Sequence, residues 1–336
     1  MPGVRVNQVG EFGLIDLLRR EFGRSAPGVV VHIGDDCAAW QVSGLALATT
    51  DTMVEDVHFS FRTITWEELG WKSLAVNLSD IGSMGGVPRY ALLTLGLGEN
   101  AEVAGVLEMA RALAACGGEF GTAVVGGDIV SSPRAFFVTV ALYGEVPDDG
   151  LGPPLTRSAA RAGDLVAVTG WLGRSAAGFR VLNEPIVAPA EMIGELRRAH
   201  NRPRPRVQEG QALRLAGVRA CIDISDGLAG DVGHIAELSQ VGVVLRPEAL
   251  PVHPFVQQVF PGDALSLALF GGEEYELAFA APPMVMAKAR EVLDALGTPT
   301  TVVGEVTAEP EGLVSLAWPD GRTLPATKGG FDHFRG

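Results

Sequence analysis

Apolar residues recur at helical spacing in GEFGLIDLLRREF (10–22), so that Phe12, Ile15, Leu18 and Phe22 share one face. A β-branched run, GVVVHIG, follows as a strand, and DDCAAW then leads through a turn into LALATTDTMVEDVHFS. TWEELGWKSLAVNLSDIGSMG predicts a long helix. Thr65 with Glu68 three residues on has the spacing of a capping box. RYALLTLGL is a strand, and NAEVAGVLEMARALAACGG is a helix with Asn100 as its N-cap. TAVVGGD and AFFVTVALYGEV are strands. PDDGLGPP (147–154) carries only turn residues and reads as a linker. Beyond it come the strand DLVAVTG, the helical SAAGFRVLN, and a basic proline-rich turn, HNRPRPRVQEG. CIDISDG then runs into the helix LAGDVGHIAELSQ. ALFGGEEYELAFAAP, a helix near 284–296, the strand TVVGEV and a polar tail ending GGFDHF complete the pattern. Strands alternating with helices imply α/β layers in both halves, and 336 residues favour two cores over one.

Composition narrows the chemistry. The net charge of −14 argues against a nucleic-acid surface, which needs clustered Lys and Arg. It leaves small anionic substrates open if metal ions intervene. The most apolar strand-like run, AFFVTVALYG, is about half of the roughly 20 residues that span a membrane, and the N-terminus lacks a signal-peptide core. Three separated cysteines, Cys37, Cys116 and Cys221, suit packing in a reducing cytoplasm.

Carboxylates gather in five short places: Asp35 and Asp36 in GDDCAAW, Asp51 in TTDT, Asp80 in NLSD, Asp128 in GGD, and Asp223 with Asp226 in DISD. Nearly all stand where an apolar run stops, and open α/β sheets bind ligands at such strand ends. If the ends converge, like charges meet. A protonated carboxyl or a cation must then relieve the repulsion. Oxygen ligands without nearby His or Cys suit Mg²⁺, Mn²⁺ or Ca²⁺, and Mg²⁺ commonly bridges carboxylates to substrate phosphates. Each Asp taken singly is equally a cap or turn residue. Asp231, one turn into the last of these helices, reads as a solvated or capping acid. A Walker-type loop, a G-x-S-x-G elbow and an H-E-x-x-H pair are absent from the sequence. GLGENA (96–101) mimics a dinucleotide fingerprint, but Glu99 and Glu102 would repel a pyrophosphate at that helix start. A faint echo links NLSDIGSMG…VVGGD with DISDGLAGD…LFGGEE and raises the idea of a duplication.

In order along the chain, GEFGLI, IGDDCAAW, TTDTMVEDVHF, KSLAVNLSDIGSMGG, VVGGD, LTRSAARAGDLVAVTG, IDISDGLAGD, FGGEEYEL and GFDHF resemble the thiamine-monophosphate kinase family. That family is a member of the superfamily that includes aminoimidazole ribonucleotide synthetase. The resemblance implies an α/β (α+β) two-domain synthetase-like fold. Residues 1–146 would form a nucleotide- and metal-binding domain whose sheet dimerises, and 155–336 a C-terminal α/β domain completing the active site. It implies direct phosphoryl transfer from ATP to thiamine monophosphate with several Mg²⁺ ions, in a cytoplasmic homodimer. Position by position, Asp36, Thr49, Thr50, Asp51, Asp80, Asp128, Asp223 and Asp226 match metal and nucleotide ligands. Gly127, Asp128, Arg157 and Ser225 match ATP contacts, while His58, Glu273 and Phe331 match positions that meet the thiamine substrate. Two places depart from the family. Ile129 follows GGD where a hydroxyl is usual, with Ser131 or Ser132 as substitutes, and Phe331 stands for a Tyr- or Trp-like ring. A sister synthetase of the superfamily and a non-catalytic nucleotide- or metal-binding regulator are the competing readings. The second need not keep His58, Arg157 and Phe331.

Overall fold

In this computed structural model the described residues are 3–23, 27–31, 39–308 and 312–326, with the side chains of Glu11 and Phe12 also set aside. They divide into two compact units, 1–81 with 87–148, and 82–86 with 149–336. The division at 148/149 falls inside PDDGLGPP.

The first unit contains α1 (Val6–Phe22), β1 (Val29–Val31), β2 (Ala39–Trp40), β3 (Leu45–Val54), α2 (Trp66–Ser83), β4 (Val87–Leu97), α3 (Val103–Phe120), β5 (Ala123–Ser131) and β6 (Phe137–Val146). Its main sheet has the order β3-β6-β4-β5, antiparallel except for β4 with β5. One face is covered by helix and buries Leu47, Met53, Leu93 and Leu95. α2 and α3 approach closely at Gly70, where an added Cβ would lie 2.1 Å from the Met109 carbonyl. On the other face Ala48, Thr50 and Thr52 are exposed, and Trp40 packs on Tyr90 and Tyr143 at 5.1 and 5.3 Å between rings. The capping box of α2 is formed: Thr65 N–H donates to Glu68 Oε2 (2.8 Å) and Glu68 N–H to Thr65 Oγ1 (3.1 Å). α1 differs in detail. It starts earlier, kinks at Gly10 (φ 70°), and buries Leu14 with Leu18, leaving Ile15 and Phe22 at intermediate exposure. Asn100 does not cap α3. Glu102 holds the N-cap position, and the first helical N–H, of Val103, donates to the Val4 carbonyl of the N-terminal arm. A distant backbone acceptor has replaced the local side-chain cap.

The second unit contains β7 (Leu165–Thr169), α4 (Arg174–Asn183), α5 (Ala190–Asn201), α6 (Val207–Ala216), β8 (Ala220–Asp223), α7 (Leu228–Ser239), β9 (Gly242–Leu245), α8 (Pro254–Val259), α9 (Ala264–Phe270), β10 (Leu277–Ala281), α10 (Pro283–Ala295), β11 (Thr300–Thr307), β12 (Val314–Ala317) and β13 (Thr323–Pro325). Its sheet runs β13-β12-β9-β11-β7-β10-β8, parallel only at β12 with β9. Two apolar clusters form around it. Ala220, Ile222 and Ile224 belong to one, and Cys221, Leu277 and Phe279 to the other, so β8 is buried on both faces. The layers are therefore helix against mostly antiparallel sheet. The alternation of strands and helices specified layers but not strand neighbours. Arg214, buried, pins the linker by donating to Asp149 Oδ2 (2.7 Å) and to the Gly152 carbonyl (3.0 Å). Among the described residues no helix is long and apolar enough to cross a membrane.

Candidate functional site

The carboxylates fall into place differently from the strand-end expectation. Asp51 lies within β3, Asp80 inside α2 and Asp128 within β5; only Asp223 ends a strand, with Asp226 in the turn after it. An apolar run can stop where a strand leaves its cover, as β5 does when it passes from buried Val124 and Val125 to exposed Gly127 and Asp128. With Asp80 helical and Asp226 in a turn, the echo between the two halves is not a structural repeat.

In the first unit β3 and α2 bring three predicted residues together. Thr49 Oγ1 donates to Asp80 Oδ2 at 2.5 Å. Thr49 and Asp51 alternate onto the face of β3 that also carries Leu47 and Met53, while Thr50 is exposed and donates to the Val140 carbonyl at 3.1 Å. Burial, with the adjacent Asp80 charge second, pushes the Asp51 carboxyl up to about 6. Two acids in one half-buried place, with the Thr49 hydroxyl beside them, suit a hard cation that keeps water and phosphate oxygens as its other ligands. Among the described residues no group of three or more His, Cys, Asp or Glu could hold an ion unaided. Asp128 stands in register with Thr94 and accepts a bond from Ile129 N–H (2.9 Å). Gly127 before it is dictated by packing: a Cβ there would lie 1.9 Å from the Leu93 carbonyl. The decoy glycine Gly96 is likewise a packing residue, since its Cβ would lie 2.0 Å from the Phe137 ring. His58, in the turn after β3, accepts from Val54 N–H through Nδ1 (3.0 Å), which puts the neutral ring's proton on Nε2.

In the second unit the DISDG turn is built around a residue the sequence reading set aside. Asp231 is not solvated: it is 2 % exposed, and its Oδ2 accepts from the N–H groups of Ser225 (3.1 Å), Asp226 (3.1 Å) and Gly227 (3.0 Å). Burial first, and then the charges of Asp223 and Asp226, push its carboxyl up to about 7 against those bonds. Its position one turn into α7, facing back over the helix start, was the available signal. Asp223 is buried on the Cys221 side of β8, while Ile222 and Ile224 face the other cluster, as alternation requires. Gly227 (φ 114°) is needed because a Cβ would press on the Phe270 backbone at 2.8 Å.

The GGEEYE segment locks onto this turn. Glu273 N–H donates to the Ser225 carbonyl (2.7 Å), Tyr275 N–H to the Ile224 carbonyl (2.9 Å), and Ile224 N–H to the Glu276 carbonyl (2.8 Å). Glu273 and Tyr275 adopt φ of 60° and 54°, a left-handed conformation that these side chains rarely take. The Glu273 carboxylate lies 3.4 Å from Nδ1 of buried His200, a neighbour no motif announced. Burial pushes the Glu274 carboxyl up to about 8, although Ser175 N–H donates to it at 2.9 Å. Burial would also raise Glu276, but the Arg206 guanidinium, with Arg174 and Thr169, outweighs it and holds that carboxyl below its ordinary value. Arg157 is exposed just past Thr156, which bridges in parallel to Ala220 of β8. Asp36 and Phe331 lie outside the described residues.

Comparisons place these features in a family. Residues 34–146 match the AIR synthase related protein N-terminal domain, and 161–316 its C-terminal domain. The chain is 38 % identical to thiamine-monophosphate kinase of Escherichia coli (strain K12), over 97 % of this chain and 98 % of the relative. The crystal structure of thiamine-monophosphate kinase from Stenotrophomonas maltophilia K279a is similar at TM-score 0.81 and 32 % identity, covering 94 % of this chain and 98 % of that one. AaThiL complexed with AMPPCP and TMP is similar at TM-score 0.76 and 33 % identity, covering 99 % and 100 %. With its motifs in order, its two domain matches and this near full-length identity, the chain belongs to the thiamine-monophosphate kinase family.

Proposed function

We propose that this protein catalyses ATP-dependent phosphorylation of thiamine monophosphate to thiamine diphosphate. A non-bridging oxygen of the acceptor phosphate attacks the γ-phosphorus of ATP, and the bond to the β,γ-bridging oxygen breaks to release ADP. The acceptor is already anionic, so no protein base has to remove a proton, and positioning with charge neutralisation carries the rate. The observation that carries the reading is the acid pair Asp51–Asp80 with Thr49, in a chain similar throughout to a protein solved with an ATP analogue and TMP.

Mg²⁺ bound at these oxygens would supply positive charge along the phosphates. In the first unit we assign its ligands as Asp36, Thr49, Thr50, Asp51, Asp80 and Asp128, with Gly127 and Asp128 also meeting nucleotide. In the second unit we assign Asp223 and Asp226 to metal, and Arg157 and Ser225 to ATP. His58, Glu273 and Phe331 are assigned to the thiamine substrate. The exposed threonine face of β3 supports a homodimer through the sheet of the first unit. We place the enzyme in the cytoplasm, and take residues 1–146 and 155–336 as its two functional domains.

The test is direct. Protein, Mg²⁺, ATP and thiamine monophosphate should yield ADP and thiamine diphosphate in equal amounts, with free thiamine left untouched. Absence of the diphosphate, or comparable turnover of free thiamine, overturns the reading.

A further inference from the structure

FGGEEYEL carries three acids, and only Glu273 has a role in the assignments above. Glu274 and Glu276 are 7 % and 2 % exposed, where a carboxyl group is costly unless its oxygens find partners. Each finds them at the start of a helix. Glu274 accepts from Ser175 N–H in the first turn of α4 (2.9 Å). Glu276 accepts from Arg206, the N-cap residue of α6, through Nε and Nη2 (2.7 Å each), one bond to each carboxylate oxygen. Arg174 Nη2 (3.1 Å) and the Thr169 hydroxyl (2.7 Å) also donate to Glu276. The Arg206 fork is held in turn: its Nη1 donates to Glu209 Oε1 (3.0 Å), which also accepts from the Thr298 hydroxyl (2.8 Å).

Backbone bonds carry this anchorage to the DISDG turn. Leu277, next to Glu276, stands in register with Asp223 across β10 and β8, and its N–H donates to the Thr169 hydroxyl (2.8 Å). The Glu276 carbonyl accepts from Ile224 N–H, and the N–H groups of Tyr275 and Glu273 reach back to the carbonyls of Ile224 and Ser225. Glu273 and Tyr275 keep a left-handed backbone, which persists only where the surroundings over-determine it. An apolar side chain at 276 could fill the same space. It could not fix the segment along its length, as two parallel bonds from a planar fork do. We propose that Glu276 and Arg206 are positioning residues for the phosphoryl transfer: their paired bonds fix the 273–276 segment against the 223–226 turn and so hold Glu273, Asp223 and Asp226 in place. The chemistry of this proposal rests on the kinase reading, while its geometry does not.

Arg206→Lys keeps the charge and removes the fork, since one ammonium group cannot reproduce two parallel bonds. In residue-resolved hydrogen exchange without metal, the amides of Ile224, Glu273 and Tyr275 should exchange about tenfold faster or more. Those of Val243 and Val306, elsewhere in the same sheet, should not change. At saturating ATP and thiamine monophosphate, kcat should fall about tenfold or more, and the Mg²⁺ concentration for half-maximal turnover should rise several-fold. A merely structural role lowers the melting midpoint and leaves that Mg²⁺ concentration where it was. Thr169→Val is isosteric and removes one donor to Glu276 together with the acceptor of Leu277 N–H. It should show the same pattern more weakly, and it decides the matter if the lysine variant does not fold. Unchanged exchange at 224, 273 and 275 in a folded variant overturns the proposal. So does faster exchange with the kcat and Mg²⁺ requirement of wild type. Wild-type protein that forms no thiamine diphosphate fails the kinase reading and the proposal with it, whereas wild-type turnover with either of those variant results fails the proposal alone.

Discussion

Asp231 and Asp51 show how much a single carboxylate can do away from any direct contact with substrate. Asp231 gathers three backbone N–H groups of the DISDG turn on one oxygen. Asp231→Ala removes that acceptor and should lower stability by about 1–3 kcal/mol, since buried donors lose their partner. Turnover should fall too, because Asp223 and Asp226 lose their bracing. Asp231→Asn keeps an acceptor oxygen and should retain more of both. Melting curves and kcat for the pair check this; an alanine variant as stable and active as wild type rules out the bracing role. Asp51 is the reverse case. Its carboxyl is raised from 3.8 to about 6, so the folded state holds the proton more tightly than the unfolded chain does. Unfolding releases that proton, and stability falls as pH rises from about 4 to about 6. Asp51→Asn should therefore melt higher than wild type without metal at pH 7, by an amount on the order of 2–3 kcal/mol. The advantage should fade at pH 4. A metal-free melting series across this range tests it, and an advantage that grows toward low pH contradicts it. Activity should drop in the same variant, which separates stability from function.

At the scale of elements, glycines decide how closely strands and turns approach. Gly127 lets β5 run against the Leu93 carbonyl of β4 just before Asp128. Gly127→Ala should displace β5 and cost several kcal/mol, as overpacking against backbone does. Loss of cooperative melting in the first unit, or a large drop in midpoint, is the expected readout; a midpoint within 1 °C or so of wild type would falsify the packing argument. The strained pair Glu273 and Tyr275 shows the complementary device. Their backbone groups bond to the 224–225 carbonyls, and those bonds hold the left-handed conformation in place.

For the molecule as a whole, charge governs the expected behaviour. A chain of net −14 that handles two phosphorylated substrates repels both unless cations intervene. Activity should vanish in EDTA and return on addition of Mg²⁺, and undiminished turnover in chelator contradicts the metal assignments. A sedimentation measurement should give a dimer at micromolar concentration. If the dimer forms through the sheet of the first unit, Ala48→Lys with Thr52→Lys should yield monomers, because like charges then face each other across the exposed β3 face.

The linear pattern by itself determined most of the elements and the residue types that carry the chemistry. Helical spacing marked the long helix, and Thr65 with Glu68 fixed its start, because capping is local. Alternation in CIDIS put Ile222 and Ile224 opposite Asp223, because side-chain direction in a strand follows from position alone. The acid-rich motifs were legible too, since oxygen ligands leave a compositional trace. Tertiary structure decided the rest. Which strands pair is set by long-range contact, so strand–helix alternation gave layers but not the mostly antiparallel order. Whether an apolar run ends a strand or only its cover depends on what packs over it, which is why Asp51 and Asp128 lie within strands. Asp231 reads as a solvated or capping acid, and only the packing of α7 decided that it is buried and caps the 225–227 turn. His200 meets Glu273 only because α5, which no expectation included, lies beside the GGEEYE segment.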